Sequence, residues 1–388
     1  MRVAFTLIGG SGWTGGINYL ENLLSALSEL PDQPVNTVLF VGSDADPQVI
    51  DRLAPYLSEP PVLSFVWERR LSIRVLRLVC GFVLQRDYFA EREFRRENID
   101  LVFQHQAWYG CRFKVPTLAW IADFQHRRVP AMFSKTRFWW RDVGYRALSR
   151  CATRLMVSSE DAKRDCEAHY PKSWGCISVL PFVVRGNSMP SSETGDVRQL
   201  YDLPEKFFYL PNQLWKHKNH LGIIEALRLI KQKNGNVVVV ASGNAHDVRH
   251  PEYPPYLLSL VREYGIEDHF RYLGLIPYKH ILPLMRFSIA VVNPSFCEGW
   301  STTVEEAKAI GAPLLLSNLP IHREQTGGAA DFFDPDNSTD IACVLEACWG
   351  KLSIGPRGDV ESKASQINQN RRKIFARDFV EICKAVLD

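Results

Sequence analysis

The chain has 388 residues, of which 46% are hydrophobic and 23% are charged, with a formal net charge of +3. This length suffices for two domains with separate cores, and the composition is typical of soluble globular proteins. The small net charge disfavours a strongly cationic nucleic-acid binder, so we expect no nucleic-acid partner.

Cysteine usage and apolar run lengths restrict the class further. The nine cysteines are scattered, odd in number and without a Cys-x-x-Cys pair, which indicates neither a disulfide framework nor a zinc site. No run reaches the roughly eighteen apolar residues of a membrane-spanning helix. The apolar start is too short for a signal peptide. We therefore expect a cytoplasmic protein that binds no metal.

The first predicted strand, Arg2 to Ile8, leads through a glycine-rich loop into a helix. The spacing Gly10-x-Gly12-x-x-Gly15 satisfies the dinucleotide fingerprint, as in NAD-dependent epimerases and dehydrogenases. Those enzymes also use Tyr-x-x-x-Lys, and none of the thirteen tyrosines has a lysine four residues later. An NAD-dependent epimerase therefore stays a weaker alternative.

Residues 69–96 alternate arginines with apolar side chains. Such a basic amphipathic segment can lie on an anionic membrane surface, and the aromatic residues of 138–141 would add interfacial anchors. The alternative is that arginine stems cover core surface while their charged heads stay in water. The sequence leaves both open and makes 69–96 the candidate for peripheral contact with the inner face of the membrane.

Two successive predicted strands end in polar residues. Strand 100–105 ends at His105, and strand 116–122 is followed by Asp123 and His126. Because carboxyl ends of parallel strands meet at one sheet edge, we expect these three side chains there. A single histidine is more often structural, so a structural role stays open.

A polar stretch, 183–205, predicts an interdomain linker. The same α/β plan is then used a second time, with a final helix predicted from 371 to 387. The predicted strands of this second half are 207–210, 236–241, 271–277, 288–292, 313–316 and 331–333.

The stretch 288–313 reads as strand, polar loop and helix. Thr302 and Glu305 fit a capping box, so the helix is expected to begin near Thr302 and to end at Gly311. Free N–H groups and the positive end of a helix dipole would then face ligand at a strand end, where phosphates bind. Glu298 and Glu306 would accept hydrogen bonds from hydroxyls, so a nucleotide sugar fits.

The run from Glu298 to Pro313, Glu-Gly-Trp-Ser-Thr-Thr-Val-Glu-Glu-Ala-Lys-Ala-Ile-Gly-Ala-Pro, resembles the donor-site signature of retaining glycosyltransferases. It is most similar to that of glycosyltransferase family 4 (group 1). The resemblance implies the GT-B fold, an α/β architecture of two Rossmann-like domains facing each other across a cleft.

The resemblance also implies domain roles. An acceptor domain would span 1–185 and be completed by 371–388, the C-terminal helix that returns to it. The linker would be 186–205, and a nucleotide-sugar donor domain would span 206–370.

Site residues follow from the resemblance as well. The catalytic set would be Glu298 at the donor hexose, Lys218 at the diphosphate, and Asp123 and His126 in the acceptor cleft. The donor-binding set would be Gly15, Gly16, Gln213, Gly243, Ile276, Gly299, Trp300, Ser301, Thr302 and Glu306, with Glu306 holding the ribose hydroxyls.

One position departs from the family pattern. The arginine usually found five residues before the diphosphate lysine is Gln213 here. Lys216, His217 or Arg323 would have to supply the missing charge, and the sequence does not choose among them.

The predicted function is a metal-independent, retaining hexosyltransferase without a cofactor. It would move a sugar from a nucleoside diphosphate sugar to a saccharide or lipid-linked hydroxyl acceptor, in polysaccharide or glycolipid synthesis. Alternatives are a nucleotide-sugar epimerase or a phosphorylase of the same fold, and a scaffold that binds sugar nucleotides without catalysis. Nucleotide base, sugar, acceptor and oligomeric state are not predicted.

Overall fold

A computed structural model describes residues 1–9, 14–105, 107–186 and 197–388. Gly10 and Gly12 of the predicted fingerprint therefore lie outside the described residues, as does the centre of the predicted linker.

The chain forms two compact units. Unit 1 contains Met1–Phe124, Lys135–Val184 and Asn370–Asp388, and unit 2 contains Gln125–Ser134 and Arg185–Gln369.

Two short segments fall outside the predicted domain boundaries. The sequence places 125–134 in the first domain, whereas the structure assigns this segment to unit 2. There the Met132 carbonyl oxygen accepts a hydrogen bond from Nε2 of His250 at 3.3 Å. Of the predicted linker, the part from Val197 onward starts with a short helix, and Val197 is buried in the core of unit 2.

Unit 1 is built on one parallel sheet. Its strands are β1 (Arg2–Thr6), β2 (Asn36–Val41), β3 (Val62–Leu63), β4 (Leu101–His105), β5 (Thr117–Ile121), β6 (Arg154–Val157) and β7 (Ile177–Val179). The order among the described residues is β3-β2-β1-β4-β5-β6-β7. The strands are mostly buried and nearly continuous in apolar residues, as expected for a sheet covered on both faces.

Helices follow these strands along the chain. They are α1 (Thr14–Ser28), α2 (Pro47–Leu53), α3 (Leu71–Val79), α4 (Tyr88–Arg96), α5 (Gln125–Arg128, in unit 2), α6 (Lys135–Cys151) and α7 (Glu160–His169).

Unit 2 repeats this plan. Its strands are β8 (Phe208–Leu210), β9 (Val239–Ala241), β10 (Phe270–Tyr272), β11 (Ala290–Asn293), β12 (Leu314–Ser317) and β13 (Asp331–Phe333), in the order β10-β9-β8-β11-β12-β13 among the described residues. Its helices are α8 (Val197–Leu200), α9 (His220–Gln232), α10 (Tyr253–Glu263), α11 (Ile281–Phe287), α12 (Thr302–Ala309), α13 (Pro320–Thr326) and α14 (Ser338–Lys351). The predicted fold class of two parallel-sheet α/β domains is confirmed.

The last helix, α15 (Gly358–Leu387), begins in unit 2 and ends in unit 1. In unit 1 its Phe379 lies on Phe5 of β1, with ring centroids 6.2 Å apart, so the predicted return to the first domain is confirmed. The predicted start at 371 is wrong by thirteen residues. Glu361 pairs with Arg286 at 2.9 Å and so holds the first turn of the helix in unit 2.

Residues 69–96 do not form one helix. α3 is followed by a π-helical turn, Cys80–Leu84, and Gln85 then adopts a left-handed conformation at φ +56° that ends the turn. α4 starts separately after Asp87, whose carboxylate accepts from the Ala90 amide. The basic segment is therefore two elements with different environments.

The expectation of no disulfide is wrong. Cys111, in the loop after β4, is bonded to Cys151 at the end of α6, with the two Cα atoms 4.3 Å apart. The spacing of 40 residues carries no local signal, because the paired strands β5 and β6, which follow the two cysteines along the chain, bring the two segments together. In the part of the chain that the structure describes, no helix has the length and apolar content needed to cross a membrane.

Candidate functional site

The candidate site lies at the strand-order reversal of the unit 2 sheet. β8 pairs with β9 on one side and with β11 on the other, so the chain reverses direction across the sheet between β8 and β11. Ligands of open α/β sheets bind outside the carboxyl ends of strands at such a switch point. Two loops meet there, 211–219 after β8 and 294–301 after β11, and the Phe296 amide donates to the His217 carbonyl oxygen at 2.9 Å.

Asn293, the last residue of β11, joins these loops. Its Nδ2 donates to Oγ of Ser301 at 2.9 Å, and its Oδ1 accepts from Oγ of Ser295 at 2.7 Å. Nδ2 of Asn212, in the other loop, also donates to this Oδ1 at 3.3 Å. All four side chains are buried, so the amide fixes the position of the polar loops relative to the strands.

Lys218 and Glu298 form a pair between the two loops. Nζ of Lys218 lies 2.6 Å from Oε1 of Glu298, and the same oxygen accepts from Oγ of Ser295 at 2.7 Å. Burial raises the pKa of Glu298, but the charge and the hydrogen bond of Lys218 outweigh it and hold this pKa at about 2. The carboxylate is therefore ionised at neutral pH, and the site contains a fixed cation beside a fixed anion.

Helix α12 starts at Thr302, as the sequence predicts, but its N-cap residue is Ser301. Oγ of Ser301 accepts from the Val304 amide at 3.4 Å, so the predicted capping role of Thr302 is wrong. The amides of Thr302 and Thr303, in the first turn, have no acceptor one turn earlier in the helix. They provide the positively polarised helix start that an anion site requires.

Gln325 of α13 takes the place that the capping box gave to Glu305. The Ser301 amide donates to Oε1 of Gln325 at 3.1 Å, and Nε2 of Gln325 donates back to the Ser301 carbonyl at 2.8 Å. Glu305 instead pairs with Lys308 at 3.1 Å and accepts from Gln325 at 3.0 Å. The sequence did not reveal Gln325, because it lies 24 residues from its partner.

Glu306 is a second buried carboxyl of α12, and its partner is Tyr278. The phenol donates to Oε1 of Glu306 at 2.6 Å. Burial raises the pKa of Glu306 to about 7, although the hydrogen bond from Tyr278 opposes the shift. Helix α12 thus holds a buried carboxyl whose pKa is raised to about 7 and which already accepts a hydrogen bond from one hydroxyl group.

Gly243 lies against the loop after β8. A Cβ atom at this residue would come within 2.4 Å of the Asn212 carbonyl oxygen, and φ is +151°, so only glycine fits. The Gly243 amide donates to the Gly274 carbonyl at 2.9 Å. A Cβ atom on Gly243 would also lie 2.8 Å from Cα of Gln213. Ile276, predicted beside the nucleotide base, has its side chain in the core of unit 2.

The cations proposed to replace the missing arginine differ in their surroundings. His217 is buried, and this burial, with the charges of Lys218 and Arg249, holds the pKa of the ring well below its usual range. Arg323 is exposed and donates to Asn318 at 2.6 Å. Lys216 is exposed as well.

Arg249, which the sequence analysis did not consider, lies beside the loop that contains Lys218. Its guanidinium donates to Nδ1 of His217 at 3.1 Å and lies over the Trp215 ring, 5.4 Å from its centroid. The residue is 32 positions from His217, so no local motif could have identified it.

In unit 1, Gly15 and Gly16 lie in the first turn of α1 rather than in the loop before it. A Cβ atom on Gly16 would lie 2.8 Å from the Ile8 carbonyl oxygen, so close packing on β1 requires this glycine. Gly16 therefore has a structural reason that does not involve a ligand.

His105 and Asp123 follow adjacent strands of unit 1, as expected. Burial lowers the pKa of His105 to about 4, and Nδ1 of His105 lies 3.0 Å from the Trp120 carbonyl. Asp123 pairs with Arg141 at 2.6 Å. His126 is buried in α5, which belongs to unit 2, so Asp123 and His126 fall in different units.

The predicted donor residues Gly299, Trp300, Ser301 and Thr302 form the turn into α12. Among the described residues, no group of three or more histidine, cysteine, aspartate or glutamate side chains is placed to hold a metal ion.

The sequence model of one protein family matches the half of the chain that contains this site. Residues 196–346 match the sequence model of the family "Glycosyl transferases group 1". The chain is 24% identical over 237 residues to the UDP-Gal:alpha-D-GlcNAc-diphosphoundecaprenol alpha-1,3-galactosyltransferase of Escherichia coli, which covers 58% of this chain and 59% of that protein.

Two O-antigen enzymes are similar over shorter stretches. The O-antigen chain mannosyltransferase RfbU of Salmonella typhimurium is 23% identical over 133 residues, covering 34% of this chain and 35% of its own length. The O-antigen chain mannosyltransferase B of Escherichia coli is 30% identical over 112 residues, covering 28% and 29%. The chain thus spans less than two thirds of the curated relatives it matches.

Solved structures share the fold along the whole chain. A glycosyltransferase from Rickettsia africae has a TM-score of 0.69 at 13% identity and covers 100% of this chain and 98% of its own. Anabaena Alr3699/HepE, in complex with UDP and glucose, has a TM-score of 0.67 at 17% identity and covers 99% and 100%. At these identities the likeness shows the fold, which is GT-B.

Proposed function

We propose that the chain is a retaining glycosyltransferase, most like family 4, that transfers a hexose from a nucleoside diphosphate sugar to a hydroxyl acceptor. The observation that carries this proposal is the Lys218–Glu298 pair, 2.6 Å apart, beside the start of α12 at the switch point of unit 2. The family match over 196–346 covers these same residues.

The chemistry follows from the charges of the site. Cleavage of the bond between sugar and diphosphate leaves negative charge on the leaving oxygen, and preorganised donors stabilise it. The Lys218 ammonium and the first amides of α12 are such donors, so the proposed reaction needs no metal ion. Glu298 would hold hydroxyls of the hexose and Glu306 those of the ribose.

Retention of configuration is part of the proposal. The acceptor hydroxyl would attack the face of the sugar from which the diphosphate departs. Asp123, held by Arg141, and His126 stay the predicted acceptor groups. A lipid-linked saccharide is the acceptor class that we propose, since one relative is named for transfer to a diphosphoundecaprenol-linked sugar.

A binding screen with nucleoside diphosphates and their sugars tests the donor site. A ligand at millimolar concentration with a Kd near 10 µM should stabilise the folded state by about 2.7 kcal/mol, visible as a raised Tm. We expect one of the UDP-, GDP- or ADP-sugars to do so, and expect transfer to a glycan acceptor to continue in EDTA. NMR of the product should show the donor anomer retained.

Other outcomes of the screen would favour the alternatives. Stabilisation by NAD alone would favour the epimerase built on the first glycine loop. Sugar transfer to free phosphate would identify a phosphorylase, and interconversion of donor sugars without acceptor would identify an epimerase. Donor binding without any turnover would favour a scaffold that binds sugar nucleotides without catalysis.

As an extension of this proposal, Arg249, whose Nε lies 3.5 Å from Oδ1 of Asp247, would supply the charge that Gln213 lacks. We expect Arg249→Gln to lower kcat/KM about 10- to 100-fold, because a charge-assisted hydrogen bond to phosphate is lost. Adding Gln213→Arg to this variant should recover part of the loss, since it returns a guanidinium to the neighbouring loop. Steady-state kinetics of the single and double variants measure both effects.

Inhibition by nucleotides tests whether Arg249 binds a phosphate group or only supports the loop. Arg249→Gln should weaken inhibition by a nucleoside diphosphate more than inhibition by the matching monophosphate. Arg262→Gln, at an exposed arginine of α10, is the matched control and should leave kinetics near wild type. Equal weakening of both nucleotides, together with no recovery from Gln213→Arg, would mean that Arg249 only supports the loop.

A further inference from the structure

Exposed apolar residues of unit 1 are concentrated on α3 and the turn that follows it. None of the nine residues of α3 is buried, although the helix is rich in leucine and valine. Leu71 is 75% exposed and Val83 is 71% exposed. The exposed members are Leu71, Val75, Leu76, Leu78, Val79, Phe82, Val83 and Leu84.

The segment is nevertheless held firmly. A Cβ atom on Gly81 would lie 2.9 Å from the Trp108 carbonyl oxygen, and the ring of Phe82 lies 3.7 Å from that of Trp108, centroid to centroid. On the other side, Arg77 pairs with Asp87 at 2.7 Å. The apolar side chains are therefore displayed by a fixed scaffold.

The exposed face continues onto the strand before α3. Nη1 of Arg77 donates to the Val66 carbonyl at 2.9 Å, so α3 lies against the turn that contains Phe65. Leu63 and Phe65 are both exposed. We call the exposed apolar residues of 63–84 the apolar face. Soluble monomers seldom expose so many large apolar groups together without a binding role.

The apolar face is bordered by positive charge. Between residues 69 and 86 there are five arginines and neither aspartate nor glutamate. Arg69 and Arg74 are exposed, and Arg70 is exposed beside Glu68 at 2.9 Å. Arg77 and Arg86 are paired inward with acids. A binding partner thus meets apolar side chains with a cationic border at one end.

Helix α4 does not belong to this surface, although the sequence joined it to α3. Ala90 and Phe94 are buried in the core of unit 1. Arg95 pairs with Glu91 at 2.9 Å, and Arg96 pairs with Glu93 at 3.1 Å. The predicted basic segment therefore divides into an exposed half and a half that covers the core.

We propose that the apolar face, with Arg69, Arg70 and Arg74, docks on an anionic lipid bilayer. The apolar side chains would enter the boundary between headgroups and acyl chains, and the arginines would contact anionic headgroups. A second copy of the chain is a poorer occupant, because in a symmetric contact it presents the same face, which has no acid between residues 69 and 86 to pair with the arginines. The docking surface lies in unit 1, so it stands independently of the donor site in unit 2.

Vesicle co-sedimentation of the full chain tests the proposal. We expect binding to vesicles of phosphatidylcholine mixed with phosphatidylglycerol, and weaker binding to phosphatidylcholine alone. The triple variant Leu76→Gln, Val79→Gln and Val83→Gln should lower the partition coefficient at least about tenfold. Arg70→Gln with Arg74→Gln should lower it about 30-fold on anionic vesicles and little on neutral ones.

A matched control makes the same kind of substitution, apolar to glutamine, on another exposed surface. Ile367→Gln with Ile374→Gln replaces exposed apolar residues of α15 and should leave vesicle binding unchanged. Because every substituted side chain is exposed, Tm should stay near wild type in all variants. The proposal is overturned if the wild type stays in solution with anionic vesicles, or if the triple variant binds them as well as the wild type. It is also overturned if the apolar face instead forms a dimer in sedimentation velocity that the triple variant dissociates.

Discussion

Replacing Lys218 by methionine is expected to lower kcat about 100- to 1,000-fold, which is the usual effect of removing one preorganised donor from a developing negative charge. The ammonium lies 2.6 Å from Glu298, and methionine matches the apolar stem of lysine while it removes the ammonium group with its charge and hydrogen bond. Single-turnover kinetics with a saturating donor measure the loss in the chemical step.

The same substitution is expected to destabilise the fold. Glu298 is buried, and its pKa of about 2 depends on Lys218. A carboxyl with a lowered pKa adds stability above its unfolded pKa, and this stability is lost as pH falls through about 2. Without the lysine this contribution disappears, and an unpaired buried charge costs about 3 to 5 kcal/mol at neutral pH.

A double variant separates stability from catalysis. Lys218→Met with Glu298→Gln removes both charges, so most of the lost Tm should return while turnover stays low. Urea unfolding and donor kinetics on the two variants supply the comparison. Recovery of turnover along with Tm would show that the pair is structural, and the catalytic assignment of Lys218 would be withdrawn.

Local signals explain what could be predicted from the sequence. Asn-Pro-Ser ends β11, and Gly311, at φ +68°, followed by Pro313, ends α12 and separates it from β12. These features depend on neighbouring residues alone. The strand–loop–helix of the site was therefore predicted with its helix start at the correct residue.

Long-range contacts explain what the sequence could not reveal. The capping rule chose Thr302 with Glu305, but the N-cap is Ser301, and its amide is satisfied by Gln325 from another helix. Arg249 and Tyr278 likewise join the site across 32 and 28 residues. Each contact depends on how strands are ordered in the sheet, and a single sequence carries no periodic signal for that order.

The alternation of arginines and apolar residues could not predict whether α3 is buried or exposed. Arginines among apolar residues are equally consistent with a membrane face and with stems that cover a core. The two helices differ in their acidic residues. Glu91 and Glu93 of α4 form ion pairs with arginines of the same helix, whereas 69–86 contains no acid. The sequence shows that these acids are present, but their pairing with the arginines is seen only in the structure.

Glu306→Gln is expected to lower kcat/KM about 10- to 100-fold, because hydrogen bonds from ribose hydroxyls to a charged group are replaced by bonds to a neutral one. The pKa of about 7 adds a pH signature. Hydroxyl binding favours the ionised carboxylate, so donor affinity of the wild type should rise as pH increases through about 7. Calorimetric titration of the nucleoside diphosphate across pH should show this rise, and the glutamine variant should lack it.

Stability of the unliganded protein should change in the opposite direction. A carboxyl whose pKa is raised from 4.5 to about 7 contributes stability below its unfolded pKa, and the contribution is lost as pH rises through about 7. The stability of Glu306→Gln relative to wild type should therefore increase by about 3 kcal/mol over this range. Tyr278→Phe is the matched control: it removes the hydrogen bond that lowers this pKa, so the midpoint should move to higher pH. A pH-independent difference between the glutamine variant and wild type would contradict the assignment, since a buried carboxyl that never ionises cannot hold ribose as an anion.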